Sequence, residues 1–538
     1  MLKTEVFLPP ERVAVHEAAG HWPCAGMSAM LEERRRGTPD RLFLIDGSER
    51  LTFAQFAGRV ERVASALLAL GIAPGDVVSW QLPSWWEAAV VAVAIDWIGA
   101  INNPIIPIYR EREVSFIAAQ AGTRALIVPG VFRNFDFREL AAEVRRGSPG
   151  LEHVIVVRDR PGEGMRSFGD LLGSVPGSRP AARDPYEVAM LFYTSGTTAD
   201  PKGVMHTDAT LGSFARTNAV VAGGGPEDAA LLQFPVSHIG GLAAFVMLPI
   251  LKGSRVVYVD FWDPERALSL IEQEGITGAG GPPAILQGML AAPGFSPHRV
   301  RTVRLAATGA ADVPPELIRE IRRRFGAVSY RSYGLTECPM LTSGRADDPE
   351  DKCVYTDGRP TPGCRVRIMD EAGRLLPSGT EGEIEAFGPQ MCVGYLDPSL
   401  TAAAFTSDGF VRTGDLGIVD EQGYVRVTGR KKDIIIRKGE NLSAKAIEDV
   451  LHDHPSVAEA AVIGVPDPDC GERVCACLVL RAGAKALNLA DIRRFMEAKQ
   501  VMRQKIPERL ELLPSLPRNA TGKVLKHELR RRFGESSR

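Results

Sequence analysis

Twelve residues, Tyr193 to Val204 (YTSGTTADPKGV), concentrate four serine or threonine hydroxyls, two glycines and Lys202 just after the apolar run VAMLFY. Glycine lets a backbone approach a ligand closely, and successive N–H groups in such a turn face a concavity that suits anions. The hydroxyls add donors and Lys202 adds positive charge, so the chemistry on offer is the cradling of a polyphosphate. The mononucleotide loop of strand, G-x-x-x-x-G-K-[ST] and helix is excluded, because no Gly-Lys-Ser/Thr stands at the required spacing. By itself the segment is also compatible with a flexible surface loop.

Three further segments carry side chains useful around a nucleotide. Tyr330 to Glu337 (YRSYGLTE) follows a strand-like stretch and offers an aromatic ring for a base, a threonine for phosphate and a carboxylate for Mg²⁺. Arg412 to Asp415 (RTGD) offers an acceptor suited to ribose hydroxyls, although such triplets are common in turns. Pro517 to Lys523 (PRNATGK) presents one lysine on an irregular loop, which taken singly reads as a solvated surface charge.

The elements that must position these groups follow from length and pattern. At 538 residues the chain exceeds one core, and roughly three or four domain-like units are expected. An apolar fraction of 45% with 24% charged residues is that of an ordinary globular protein, and a net charge of −2 gives no basic footprint for nucleic acid. The 8 cysteines are scattered; Cys470, Cys475 and Cys477 lack metal-site spacing, so reduced buried thiols are expected. The N-terminus is interrupted by charges before an apolar h-region forms. The most hydrophobic stretch, Trp85 to Ile101, carries Glu87 and Asp96 and falls short of a membrane span. A cytoplasmic protein without an integral membrane segment is the expectation.

Thr52 can cap a helix whose apolar face is Phe53, Phe56, Val60, Val63, Leu67 and Leu70, ended by Gly71. Apolar runs (DVVSWQL, ALIVP, HVIVV, ALLQFP, RVVYVD, ITGAGG, VRLAATG) then alternate with helical patterns, which predicts crossover units and largely parallel sheets. From Cys364 shorter runs between Gly and Pro turns suggest hairpins or a small barrel. After Gly429 a basic RKKD stretch precedes a compact α+β pattern, with Ser443 as a helix cap. The fold class expected is α/β. Residues 1–429 should form a large N-terminal domain of parallel-sheet α/β subdomains plus a small β-barrel-like subdomain, and residues 430–538 a small mobile α+β C-terminal domain.

In this order and at these separations, YTSGTTADPKG, YGLTE, RTGD, GRKKDIIIRKGENLSA and PRNATGK resemble the adenylate-forming superfamily, which includes acyl-CoA synthetases, peptide-synthetase adenylation domains and luciferases. The resemblance covers roughly Ala29 to Arg531. It implies an acid–thiol ligase using ATP, Mg²⁺ and coenzyme A: a carboxylate attacks the α-phosphate, and a thiol then displaces AMP from the acyl-adenylate. By this likeness Thr194, Ser195, Gly196, Thr197 and Thr198 cradle the β- and γ-phosphates, with Lys202 supporting that loop. Glu337 holds Mg²⁺ and Thr336 contacts phosphate. Tyr333 stacks on adenine, whose rim includes Gly309 and Ala310, and Asp415 takes the ribose hydroxyls with Arg430 assisting. Lys523 is the catalytic cation of the first half-reaction. Lys432 is the hinge about which the small domain rotates, although a plain basic linker is physically adequate there. Lys438 and Gly439 then line the pantetheine tunnel.

The resemblance places the acyl pocket between FPVSHIGGL and the segments GGPPA and ATGAA. His238 lies where such synthetases often carry a histidine near the carboxylate, and Gly241 and Gly309 line the site. No Asp or Glu occurs from Phe234 to Ile250, so the partner of an amino acid's α-ammonium is missing there and amino-acid activation is disfavoured. The QLPSWWEAAV region looks like the branch handling medium-chain and alicyclic acids, of the kind used in fatty acid metabolism, and an aromatic acid also fits; Trp85 and Trp86 read as packing residues. Two departures from the family pattern stand out. Asp208 in HTDAT either weakens ATP slightly or sits at a helix N-terminus, and Thr308 replaces a frequent glycine. The alternatives are a ligase that loads a carrier protein's phosphopantetheine, and an inactive binding protein on the same fold. A homodimer is left open.

Overall fold

The computed structural model describes residues 6–22, 26–177, 180–194, 200–438, 440–519 and 522–534. Two sheets built from parallel crossovers carry the large part of the chain. The first has seven strands in the order Lys202–Thr207, Val188–Thr194, Ile101–Pro104, Val77–Trp80, Thr123–Pro129, His153–Val157 and Arg166–Ser167. All neighbours run parallel except Val188–Thr194 and Lys202–Thr207, a hairpin with Thr194 opposite Lys202. The second sheet runs Glu49–Thr52, Leu42–Asp46, Arg255–Tyr258 and Ala229–Leu232. It continues through parallel bridges at Gly278, Leu305 and Val328 towards Arg331–Leu335 and Cys338–Ser343.

The helices follow the sequence pattern. Phe53–Ala69 begins at a Thr52–Gln55 capping box and buries Phe53, Phe56, Val60, Val63 and Leu67, while Gly71 takes a positive φ just past its end. Trp86–Trp97, within the most apolar stretch, is buried on every side, as expected of a helix inside a large core. Its two carboxylates are paired. Glu87 meets Arg158 at 2.7 Å, and Asp96 meets Arg183 at 2.6 Å. Arg158 also lies 4.3 Å over the Trp85 ring, so Trp85 and Trp86, both buried, are packing residues here. No helix among the described residues is long and apolar enough to cross a membrane.

Asp208 resolves into the second of its two sequence readings. It is the first residue of helix Asp208–Ala222, capped by Thr207, and its carboxylate pairs with Arg183 at 2.8 Å. Arg183 thus joins the carboxylates of two helices, and the Asp96 carboxylate also accepts from Ser28 N at 2.8 Å. Burial, then the charge of Asp96, pushes the Asp208 carboxyl up, against the pull of Arg183. Negative charge is favoured at a helix N-terminus, but two buried carboxylates are tolerable only around a cation.

Beyond Cys364 four antiparallel strands form a third sheet in the order Arg365–Met369, Gly382–Phe387, Val411–Val419 and Val425–Arg430. The chain leaves this sheet at Arg430, makes one short turn over Lys431–Asp433, and enters a five-stranded sheet at Ile434–Arg437. That last unit has its own core around Ile447, Leu451, Val462 and Ile492, and helix Ala444–His452 is capped by Ser443 as the sequence suggested.

Replacing Arg183 with alanine leaves Asp96 and Asp208 buried without a counter-ion. Loss of a partner from such a buried cluster costs ~3–5 kcal/mol, so Arg183→Ala should lower the denaturant midpoint sharply. A midpoint within error of the parent would refute the staple.

Candidate active site

Strand ends bring the sequence candidates together. Thr194 ends the central-sheet strand Val188–Thr194, and Lys202 faces it across the hairpin, so the intervening loop is held at both feet by the sheet. Ser195, Gly196, Thr197 and Thr198 lie outside the described residues, as does Gly439. Gly309 ends the two-residue strand Thr308–Gly309, pairing with Ser332. A Cβ at Gly309 would lie 2.4 Å from the Ser332 carbonyl oxygen, so only glycine fits this approach of two strands. Ala310 follows with φ +64°, a conformation unusual for a residue with a Cβ.

The tightest constellation centres on Asp415. The Tyr333 hydroxyl donates to its Oδ2 at 2.7 Å, and Arg430 Nε meets its Oδ1 at 2.7 Å. Burial, reinforced by the Asp415 charge, pushes the Tyr333 phenol well up, so it remains a donor. The ring expected to stack on adenine and the carboxylate expected at the ribose are therefore one hydrogen-bonded unit with Arg430.

Glu337 and Thr336 form the turn of the hairpin Arg331–Leu335 to Cys338–Ser343. Their backbone is fastened from two sides. His206 Nε2 donates to the Thr336 carbonyl at 2.8 Å, and Cys392 N donates to the Glu337 carbonyl at 2.7 Å. Burial lowers the His206 imidazole to about 4, which keeps that ring neutral. The Glu337 side chain receives a bond that the sequence did not reveal. Tyr395, buried and brought close where Leu396 N bonds Gly203 O, donates its hydroxyl to Glu337 Oε1 at 2.5 Å. No cluster of three or more His, Cys, Asp or Glu suited to a metal occurs among the described residues. A lone oriented carboxylate fits Mg²⁺, which usually takes one or two protein carboxylates and completes its shell with phosphates and water.

Lys523 comes from the small C-terminal unit. Asn519 N bonds the Lys523 carbonyl and Lys523 N bonds Asn519 Oδ1, both at 2.9 Å, which closes a tight loop with Gly522 at φ +82°. A Cβ on Gly522 would stand 3.7 Å from Pro282, so the loop is seated on the GGPPA segment of the large part. Burial, then the neighbouring Arg430 charge, pulls the Lys523 ammonium down to about 8, with Asp415 opposing. Ion pairs hold the small unit in this position: Lys445 with Asp312, and Lys431 with Glu383 at 2.7 Å. Lys432 lies in the connecting turn beside Asp433, which pairs with Arg530 at 2.7 Å. Lys438 is exposed, has φ +50°, and bonds Cys470 O of its own sheet at 2.8 Å.

On the acyl side, His238 caps the short helix Ile239–Leu242 through Nδ1, which accepts from Gly240 N at 3.1 Å. Burial lowers its imidazole to about 4, so the ring is neutral there. A Cβ at Gly241 would lie 2.1 Å from Pro235 O, so this glycine serves the packing of the backbone behind His238. Gln233 Oε1, Ser237 Oγ and Thr308 Oγ1 are buried without a hydrogen-bond partner. Leaving such an atom unpaired costs ~1–3 kcal/mol.

A family model described as AMP-binding enzyme matches residues 31–396, and one described as AMP-binding enzyme C-terminal domain matches residues 446–523. The chain is 36% identical to the 2-hydroxy-7-methoxy-5-methyl-1-naphthoate–CoA ligase of Streptomyces carzinostaticus, over 98% of this chain and 97% of that one. It is 31% identical to the medium-chain fatty-acid–CoA ligase of Escherichia coli K12, over 98% and 94% of the two chains. Among solved structures, ATP-bound MatB from Rhodopseudomonas palustris matches with a TM-score of 0.86 at 28% identity, over 96% of this chain and all of that one. The apo form of MatB matches with a TM-score of 0.76. The chain belongs to the AMP-binding enzyme family, within the adenylate-forming superfamily, and by class it is an acyl-CoA synthetase.

Two outcomes follow from this geometry. Tyr395→Phe frees the Glu337 carboxylate to rotate, and loss of such an orienting partner typically costs ~10–100-fold in metal affinity. The Mg²⁺ concentration for half-maximal pyrophosphate release should rise accordingly, and an unchanged requirement would refute the orienting role. Because Lys523 carries its charge below about pH 8 and loses it above, kcat/KM for pyrophosphate release should fall as pH rises through that value. Lys523→Arg, whose guanidinium stays charged, should remove that alkaline limb even if the overall rate is lower.

Proposed function

We propose that this acyl-CoA synthetase activates an aromatic carboxylic acid in two half-reactions that share one site and alternate by rotation of the small C-terminal unit. The observation that carries the reading is the seating of the Lys523 loop on Pro282 beside Asp415 and Arg430. In the first step a carboxylate oxygen bonds the α-phosphorus while the bond to pyrophosphate breaks. An anion attacking a polyanion needs positive charge already in place, and Lys523 supplies it where the two reactants meet. Tyr333, Asp415 and Arg430 hold the nucleoside, and Thr194, Thr336 and Lys202 hold the phosphates together with Ser195, Gly196, Thr197 and Thr198. Glu337, turned by Tyr395, would hold Mg²⁺, which neutralises charge on the phosphates.

In the second step the thiol sulfur of CoA gives up its proton and bonds the acyl carbon, and the bond to AMP breaks. A lysine loop plugged into the site would obstruct that approach. Rotation about Lys432 removes it and brings the exposed Lys438 and the adjoining Gly439 to the tunnel. The higher TM-score to ATP-bound than to apo MatB supports reading the present arrangement as the adenylating one. The identity to a naphthoate–CoA ligase, the neutral His238 and the lack of an acid from Phe234 to Ile250 support an aromatic acid over an amino acid.

The test is pyrophosphate and AMP release with Mg·ATP across aliphatic and aromatic acids, each with and without CoA. Aromatic acids that lead the panel, with release strongly stimulated by CoA, are expected. Pyrophosphate stalling near one equivalent regardless of CoA would instead indicate a carrier-protein acceptor. Lys523→Ala should lower adenylation by ~10²–10³ while largely sparing thioester formation from supplied acyl-AMP. Lys432→Pro should do the reverse, and slowed adenylation alone would refute the hinge.

A further inference from the structure

Where the second sheet is extended by its parallel bridges, two buried side chains at neighbouring strand ends carry polar atoms without a partner. Gln233 follows strand Ala229–Leu232, and its Nε2 donates to Gly280 O at 2.8 Å. A carbonyl can only accept, so this bond fixes the orientation of the carboxamide and leaves Oε1 as a free acceptor. Thr308 opens the neighbouring strand segment and is bridged in parallel to Gly281. Paired residues of parallel strands project to the same face. A Cβ on Gly281 would stand 3.6 Å from Gln233 Nε2. The Gln233 carboxamide and the Thr308 side chain therefore share the face of Gly281, beside Ile285. Gln233 is 4% exposed and Thr308 1%, yet Gln233 Oε1 and Thr308 Oγ1 both lack a partner.

Position gives these atoms a use. The next residue, Pro282, is the one on which the Lys523 loop rests, and the residue after Thr308 is Gly309 of the nucleotide rim. In open α/β sheets ligands bind beyond the carboxyl ends of the strands, and Gln233 stands at such an end. Buried polar groups in native proteins are nearly always paired, so two orphans on one face at neighbouring strand ends call for a ligand group that completes them.

We propose that Gln233 and Thr308 determine specificity by reading a hydrogen-bond-donating substituent, a hydroxyl or amino group, on the ring of an aromatic carboxylate. This rests on the ligase reading above and narrows its substrate class. The ring substituent donates to Gln233 Oε1, and the Thr308 hydroxyl either donates to the same group or accepts from it. A site built to bond such a group rejects the analogue lacking it far more strongly than an apolar pocket rejects a missing methylene, because its own polar atoms are then left unpaired.

The experiment measures kcat/KM for pyrophosphate release with benzoate and 1-naphthoate against their hydroxy and amino derivatives at each ring position, with medium-chain aliphatic acids alongside. It uses the full chain and the variants Thr308→Val and Gln233→Met. The best derivative should exceed its parent at least about tenfold, and each variant should reduce that ratio to below about threefold, chiefly through KM. Thr308→Val removes an unpaired hydroxyl at nearly constant shape, so its melting temperature should not fall. It remains informative if Gln233→Met, which also loses the bond to Gly280, folds poorly. Parents as good as their derivatives, or variants that slow all acids by the same factor, would overturn the inference and leave the ligase reading standing. Failure of every acid, aliphatic ones included, would overturn both.

Discussion

Asp415 is the point on which the site depends. Its two oxygens bind Tyr333 from strand Arg331–Leu335 and Arg430 from the last strand of the third sheet, and its charge is among those that act on Lys523 from the C-terminal unit. Side chains from three parts of the chain thus converge on one buried carboxylate. The net effect is a balance: Arg430 and Lys432 repel the Lys523 ammonium, while Asp415 and Asp433 attract it. A lysine held near its titration point by burial and like charges is poorly satisfied where it sits. Polyanionic ATP would relieve that repulsion, and its consumption would restore it. Under the proposed mechanism, the electrostatics that suit Lys523 to the first step also favour its departure afterwards.

The surrounding architecture supplies rigidity where the chemistry needs it. The hairpin register sets Thr194 directly opposite Lys202. Glu337 is fixed through its backbone by His206 and Cys392, and through its side chain by Tyr395. Behind these, the fully buried helix Trp86–Trp97 carries two carboxylates that are tolerable only because Arg158 and Arg183 reach them. The connection to the C-terminal unit is different in kind. Its backbone link is one short turn, and the contacts that hold the unit in place include partly exposed ion pairs such as Lys431–Glu383. Exposed pairs are worth little individually, which suits the rotation proposed for the unit.

Much of this was legible in the chain itself. Glycine- and hydroxyl-rich loops, helix caps at Thr52 and Ser443, and alternating apolar runs are local signals, because the physics behind them acts within a few residues. The five motifs, in their order, were enough to indicate the superfamily. Both readings of Asp208 were available from the sequence, and the choice between them needed Arg183, which lies 25 positions away in the chain.

What only the tertiary structure decided are the pairings between distant positions. Tyr395 reads as an ordinary aromatic in GYLDP, and Gln233 as an ordinary glutamine after a strand; neither has a local pattern that marks it. Their significance comes from what folding leaves beside them: Glu337, at a separation of 58 residues for Tyr395, and Gly280 and Gly281 for Gln233. Sequence by itself determined the kinds of chemistry available, since side-chain type and short-range spacing fix donors, charges and turns. Which of those groups meet and which stay unpaired were set by long-range packing, because hydrogen bonds and buried charges act only over a few ångströms.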